Sequence, residues 1–319
     1  MDLSTIELET IKDDSRLWYY RGWAEMGLKM YNEAIIDFNK SIEINPESDS
    51  AYLSRGNAKA YLKNYTGAID DYSKAIEIDP KDDYAYFKRG NQNVYLKNYT
   101  KAIDDYSKAI EIDPKNAQAF FNRGFAKSDL KDYTGAIDDF SKAIEIDPKD
   151  QEAFHYRGIA KSDLKDYTRG IDDYSKAIEI DPKNADAYYH RGVAKSHLKD
   201  YRGAIDDFSK AIEIDPNDDI AYVFRGVAKS DLKDYTGAID DFSKAIEIDP
   251  KDQEAFHYRG IAKSGLKDYR GAIDDFSKAI DIDPKYDSAY FRRGVAKSKI
   301  GDSVGAVNDQ SKYEELTQH

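Results

Sequence analysis

Asp49 to Pro80 reads DSAYLSRGNAKAYLKNYTGAIDDYSKAIEIDP. It contains two helical stretches separated by Leu62-Lys63-Asn64-Tyr65, each too short to persist alone in water. Asn64 opens the second stretch, and its equivalent is Asp or Asn in eight of nine copies of the segment. These side chains accept hydrogen bonds from the free amides of a helix N-terminus. Pro80 closes the stretch, because proline lacks the amide and clashes with the preceding turn. The segment predicts a helix-turn-helix.

The same segment recurs along the chain. All eight prolines, from Pro46 to Pro284, stand 34 residues apart, and an Arg-Gly dipeptide keeps that step nine times, from Gly22 to Gly294. Asp129 to Ser162 returns unchanged as Asp231 to Ser264, three periods later, which indicates that a three-repeat block was copied. Nine repeats over 14–316 form one solenoid, with 1–13 as an N-terminal extension or partial cap. Each repeat buries its apolar face only against a neighbour, so eighteen helices and no strand are expected.

A 34-residue unit with Gly56 in its first helix, Tyr65 opening the second, then Ala68, Tyr72, Ala75 and Pro80 resembles the tetratricopeptide repeat. The resemblance implies an all-α, right-handed superhelical solenoid whose first helices line a concave groove that binds peptides or partner domains. Three positions depart from the family's pattern: Arg55 stands where Leu is common, Lys59 where an aromatic residue is common, and Lys63 where Gly is common. The family's carboxylate-clamp set is missing, since the corresponding residues are Leu53, Asn57, Lys88, Gln118 and Asn122.

Composition narrows the function classes. The chain has no cysteine, which removes disulfides, thiolate metal sites and a cysteine nucleophile and fits a reducing, cytoplasmic setting. A net charge of −13 gives phosphate neutralisation the wrong sign, so neither nucleic acid nor an anionic membrane is expected as a partner. No cofactor, phosphate loop or histidine metal site is read from the motifs, and His190 and His197 lie two helical turns apart. An active site should break the repeat at one place, and the recurring carboxylates do not. The chain reads as non-catalytic, an interaction scaffold, with a self-assembling structural protein or the recruitment module of a larger enzyme complex as alternatives.

Comparing the nine copies separates two sides of the first helix. Positions equivalent to Ala51, Arg55, Ala58 and Leu62 hardly vary and are expected to face other helices. Positions six and three before the glycine, and one, four and five after it, vary most and share the opposite arc. That stripe and its edge carry Trp23, Phe87, Phe121, Phe125, Asp129, Glu152, His155, Tyr156, Asp163, Asp186, Tyr189, His190, Phe224, Asp231, Glu254, His257 and Phe291. Aromatic rings offer large contact area with few rotors to freeze, and interleaved carboxylates suit Lys or Arg. The expected ligand is therefore a protein or peptide segment with basic and apolar residues.

The remaining recurrent charges read as architecture. Asp70 and Lys74 should pair four residues apart on a wet second helix. Arg55 and Asp71, present in all nine units, should bridge the two helices of a repeat. The polar last helix, with Ser303, Gln310 and Glu314 at formerly apolar or aromatic positions, reads as a C-terminal cap and favours a monomer.

Overall fold

The computed structural model describes residues 14–317, so the proposed extension at 1–13 lies outside the described residues. Its helices come in pairs. The first four are α1 (Ser15–Gly27) with α2 (Tyr31–Ile44), α3 (Asp49–Tyr61) with α4 (Tyr65–Ile78), α5 (Asp83–Tyr95) with α6 (Tyr99–Ile112), and α7 (Ala117–Asp129) with α8 (Tyr133–Ile146). They are followed by α9 (Gln151–Asp163) with α10 (Tyr167–Ile180), α11 (Ala185–His197) with α12 (Tyr201–Ile214), and α13 (Asp219–Asp231) with α14 (Tyr235–Ile248). The last are α15 (Gln253–Gly265) with α16 (Tyr269–Ile282), and α17 (Asp287–Lys299) with α18 (Ser303–Thr317). The described residues contain these eighteen helices and no strand. They gather into two compact units, one ending at Ala160 and the other beginning at Lys161.

Local chemistry sets most helix ends. The Asn64 side chain accepts from Gly67 N at 3.1 Å, and Asp132, Asp200, Asp234 and Asp268 do the same for their own helices at 3.0 Å. Second helices stop two residues before each proline, as at Ile78 and Pro80, where the Asp79 carboxylate accepts from Lys81 N at 2.9 Å. Between the paired helices the chain reverses through a left-handed residue. Lys63 N donates to Ala60 O and Asn64 N to Lys59 O, both at 2.9 Å, closing the two rings of a Schellman turn. Lysine occupies this conformation eight times, with φ of 59° at Lys63 and 63° at Lys199, whereas the last repeat uses Gly301 at 84°.

In most repeats the core is an aromatic ring pressed on a glycine, whereas in the last Gln310 takes the ring's place and Gly294 meets Ala306 O and the Asp309 Cβ. Tyr72 of α4 is fully buried, and a Cβ added to Gly56 of α3 would lie 2.7 Å from its Cε1. Phe208 stands in the same relation to Gly192 at 2.8 Å. Only glycine lets the paired helices approach so closely, while buried alanines such as Ala51, Ala58, Ala68 and Ala75 keep the rest of the interface thin.

The expected bridge between helices is present and larger than two residues. Arg225 donates from Nε and Nη2 to the Asp241 carboxylate at 3.0 and 2.7 Å, and from Nη1 to Ser209 Oγ of the preceding repeat at 3.1 Å. Lys229 Nζ reaches the same carboxylate at 2.7 Å. The pattern recurs at Asp139, Asp207, Asp275 and Asp309, and at Asp71 with Asn39 Oδ1 in place of the serine at 2.6 Å; each arginine also lies over an aromatic ring three residues before it, as Arg225 does over Tyr222 at 5.4 Å. Thus Arg55 and Lys59, which depart from the family's usual residues, complete one node. In the first repeat Glu25 replaces the lysine. Its burial, with the like charge of Asp37, raises its pKa.

Two expectations are corrected. The leucines equivalent to Leu62 cap the first helices and are exposed, because the chain turns away from the interface there. Lys74 pairs with Glu77 at 2.5 Å, not with Asp70, since both lie within one turn of it and the glutamate arm is one methylene longer.

Candidate protein-binding site

Within the first unit, the stripe residues divide between surface and core. Trp23, Asp129 and Glu152 are exposed; Phe87, Phe125 and Tyr156 are half-buried. Phe121, at 8% exposure, belongs to the core with Phe140, because the Tyr156 ring of the next first helix lies edge-on over it at 5.6 Å. Tyr156 also meets Phe125 at 5.6 Å. His155 is likewise buried, with its ring 5.5 Å from that of Tyr156. Phe121 and His155 therefore support the face and do not present a side chain on it.

In the second unit, the last turn of α9 and the first helices α11 and α13 carry the acidic and aromatic candidates. The carboxylates of Asp163 and Asp186 both act electrostatically on His190. Burial nevertheless lowers the pKa of His190, while burial raises that of Asp163 against the pull of the imidazole. The His190 ring lies 5.2 Å from Tyr189, and Tyr189 meets Phe224 edge-on at 5.4 Å. Burial pushes the Tyr189 phenol up to about 12. Asp163, Asp186, Asp231, Glu254, Phe224 and Phe291 are exposed, and burial also raises the pKa of Asp231. Asp163 and Asp231 are thus partly dehydrated, and there an opposite charge is worth more than in open water. His257 is a correction here too: it is buried among Tyr258, Phe276 and Tyr286, and burial takes its pKa down to about 4.

A further surface was not read from the stripe. In the first unit a cavity of 620 Å³ opens beside α3 and α5, walled by Asn57, Tyr61, Tyr65, Tyr84, Lys88, Asn91, Gln92 and Tyr95. A neighbouring hollow of 240 Å³ shares Asn91 and Tyr95 with it. Tyr72 and Tyr106 donate their phenol protons to Asn57 and Asn91, each at 2.8 Å, and Asn122 Nδ2 donates to Asn91 Oδ1 at 2.9 Å. Tyr61 and Tyr95 stack on Tyr31 and Tyr65 of the preceding repeats at 4.8 and 4.9 Å. The signal for this surface lies in Asn91-Gln92-Asn93, where the third repeat departs from the Ala-Lys that follows in most copies.

No helix among the described residues is long and apolar enough to cross a membrane. Among curated proteins nothing matches the sequence. Solved structures do. YrrB, described as a TPR protein with an unusual peptide-binding site, is 28% identical, with 58% of this chain and 95% of that one covered at a TM-score of 0.53. MamA is 26% identical over 53% of this chain and 92% of its own, at 0.50. The C-terminal part of a TPR repeat-containing protein from Cytophaga hutchinsonii shares the fold at 21% identity and a TM-score of 0.63, covering 73% of this chain and 96% of that one. Family models described as tetratricopeptide repeat match residues 15–48, 117–150 and 185–218, then 220–252 and 254–286, and one described as TPR repeat matches 56–98, 90–131 and 162–196. With its caps, glycine-ring contacts and paired helices repeating at the same step, the chain belongs to the tetratricopeptide repeat family.

Proposed function

We propose that this protein is an interaction scaffold whose second unit holds a basic, partly apolar segment of a partner protein. The general scaffold role is supported by the repeats and by similarity to YrrB, whose own description names a peptide-binding site. The finer reading is supported by one observation: the exposed carboxylates of Asp163 and Asp186 both act electrostatically on His190, whose ring lies beside Tyr189, itself edge-on to Phe224. A lysine or arginine laid across this surface pairs with the carboxylates while its stem and apolar neighbours pack on the rings. Each cation-over-ring contact adds about 0.5 to 2 kcal/mol. Trp23, Asp129, Glu152, Glu254 and Phe291 are exposed on first helices and offer the same chemistry to other parts of a partner.

The test uses the full chain and a labelled synthetic peptide alternating lysine with leucine and phenylalanine. Binding should weaken as salt is raised, because exposed ion pairs are screened over about 10 Å at 0.1 M. Asp163→Asn, Asp186→Asn and Asp231→Asn combined should weaken it about tenfold or more while leaving the helical circular dichroism spectrum unchanged. Equal affinity for the triple variant would sink the acidic-surface reading and leave the scaffold reading in place.

A further inference from the structure

We infer that the cavity beside α3 and α5 in the first unit is a second binding site, and that it takes an acidic peptide segment. The first ground is a singular side chain. Two residues after the repeat glycine the sequence has Ala24, Ala58, Ala126, Ala160, Ala194, Ala228, Ala262 and Ala296, but Gln92 in the third repeat. Gln92 is 4% exposed and forms part of the cavity wall. Its Nε2 donates to Lys88 O at 3.2 Å, whereas its Oε1 is buried with no hydrogen-bond partner. A buried acceptor without a donor is costly, and a position that works as alanine elsewhere has no structural need of one. The group is satisfied when an N–H of a bound molecule reaches it.

The second ground is charge. In a chain of net charge −13, no carboxylate is among the described residues walling this cavity, and the charged groups among them are Lys63 and Lys88. Lys88 holds its ammonium 4.8 Å over the Tyr84 ring, not against an acidic side chain. The third ground is the apolar surface. Tyr61 and Tyr95 are each 65% exposed, yet both are held rigid by stacking on a tyrosine of the preceding repeat. Rigid exposed rings lose little entropy on binding.

A ligand that uses all three features carries a carboxylate for the lysines, an amide N–H for Gln92 Oε1 and an aliphatic or aromatic side chain for the rings. A peptide segment in which Glu or Asp alternates with apolar residues has each of these. An inorganic anion lacks the donor and the apolar part, and a basic segment meets two ammonium groups. The site lies in the other unit from the acidic surface and selects the opposite charge, so either reading can fail without the other.

Fluorescence anisotropy on the full chain tests it, with a labelled peptide alternating glutamate with leucine and phenylalanine, its lysine counterpart, and inorganic phosphate as competitor. The acidic peptide should bind saturably. Gln92→Ala, which restores the residue of the other repeats, should weaken it about tenfold, as expected for one lost hydrogen bond to a group otherwise buried unpaired. Lys88→Glu should weaken it at least as much, and Asp163→Asn with Asp186→Asn should leave it unchanged. The proposal is overturned if the acidic peptide does not saturate, if Gln92→Ala and Lys88→Glu bind it as the native chain does, or if millimolar phosphate displaces it completely.

Discussion

The Arg225–Asp241–Lys229–Ser209 node shows how one residue type ties a repeat together and to its neighbour. The Asp241 side chain is 5% exposed and Arg225 18%, so loss of the guanidinium leaves a nearly buried carboxylate with only the lysine for charge balance. Arg225→Ala should cost about 3 kcal/mol, read as lost protection of α13 and α14 amides in hydrogen exchange. Protection equal to that of the native chain would show the node to be decorative. Histidine gives a pH-dependent counterpart. Burial first, then the Arg292 charge, lower the pKa of His257 from 6.5 to about 4, while Asp287 opposes them. Folding favours the neutral ring, so its contribution is full above pH 6.5 and is lost as pH falls from 6.5 towards 4. The second unit should lose about 3 kcal/mol across that window, and His257→Phe should flatten the slope in urea titrations at each pH.

At the scale of elements, the hairpin turn carries strain that glycine would relieve. Lys199 sits at φ 63° as the residue after the helix cap, a conformation that crowds a Cβ against the following carbonyl. Lys199→Gly should stabilise its hairpin by about 1 kcal/mol, a gain visible as a raised melting temperature. The lysine side chain is exposed, so no packing is lost in exchange. The paired helices behave in the opposite way. Gly192→Ala would place a methyl 2.8 Å from Phe208 Cε1 and should destabilise by about 1 to 3 kcal/mol. A neutral melting temperature for Gly192→Ala would mean that α11 and α12 separate more easily than this packing implies. The turn, the cap and the proline stop were all legible in the sequence, because each depends on residues within one or two turns of the chain. The third member of the node was not, since Lys59 reaches Asp71 across twelve residues only once both helices are in place.

For the molecule as a whole, repetition makes stability a sum over neighbouring hairpins, while the variable side chains decide what each unit can hold. Burial raises the pKa of both Asp163 and Asp231 in the free protein. A basic segment binds their ionised forms, so its affinity should hold near neutral pH and fall as pH drops through that raised carboxylate range. Titrating the lysine-rich peptide against the chain from pH 7 to 4 checks the sign, and affinity that rises on acidification would exclude these carboxylates as its partners. The acidic peptide at the Gln92 cavity meets no carboxylate among the described wall residues that could lose its charge. Its own side chains, not the protein's, should set its pH dependence.

The sequence by itself determined the period, the helix-turn-helix, the caps, the proline stops and the Arg–Asp pairing, because these follow from residues at fixed short distances or from a position that never varies. It also grouped Asp163, Asp186, Tyr189 and Phe224 on one arc of the first helix. Only the tertiary structure decided which members of that arc remain at the surface. Phe121 and His257 are covered by Tyr156 and Tyr286, side chains from the following repeat that helical periodicity within one repeat does not register. The same holds for Gln92, an isolated departure in the sequence that acquires an unpaired oxygen and a cavity once α3 and α5 stand side by side. Burial is a property of neighbours, and in a repeat array the neighbour that matters stands a full period away.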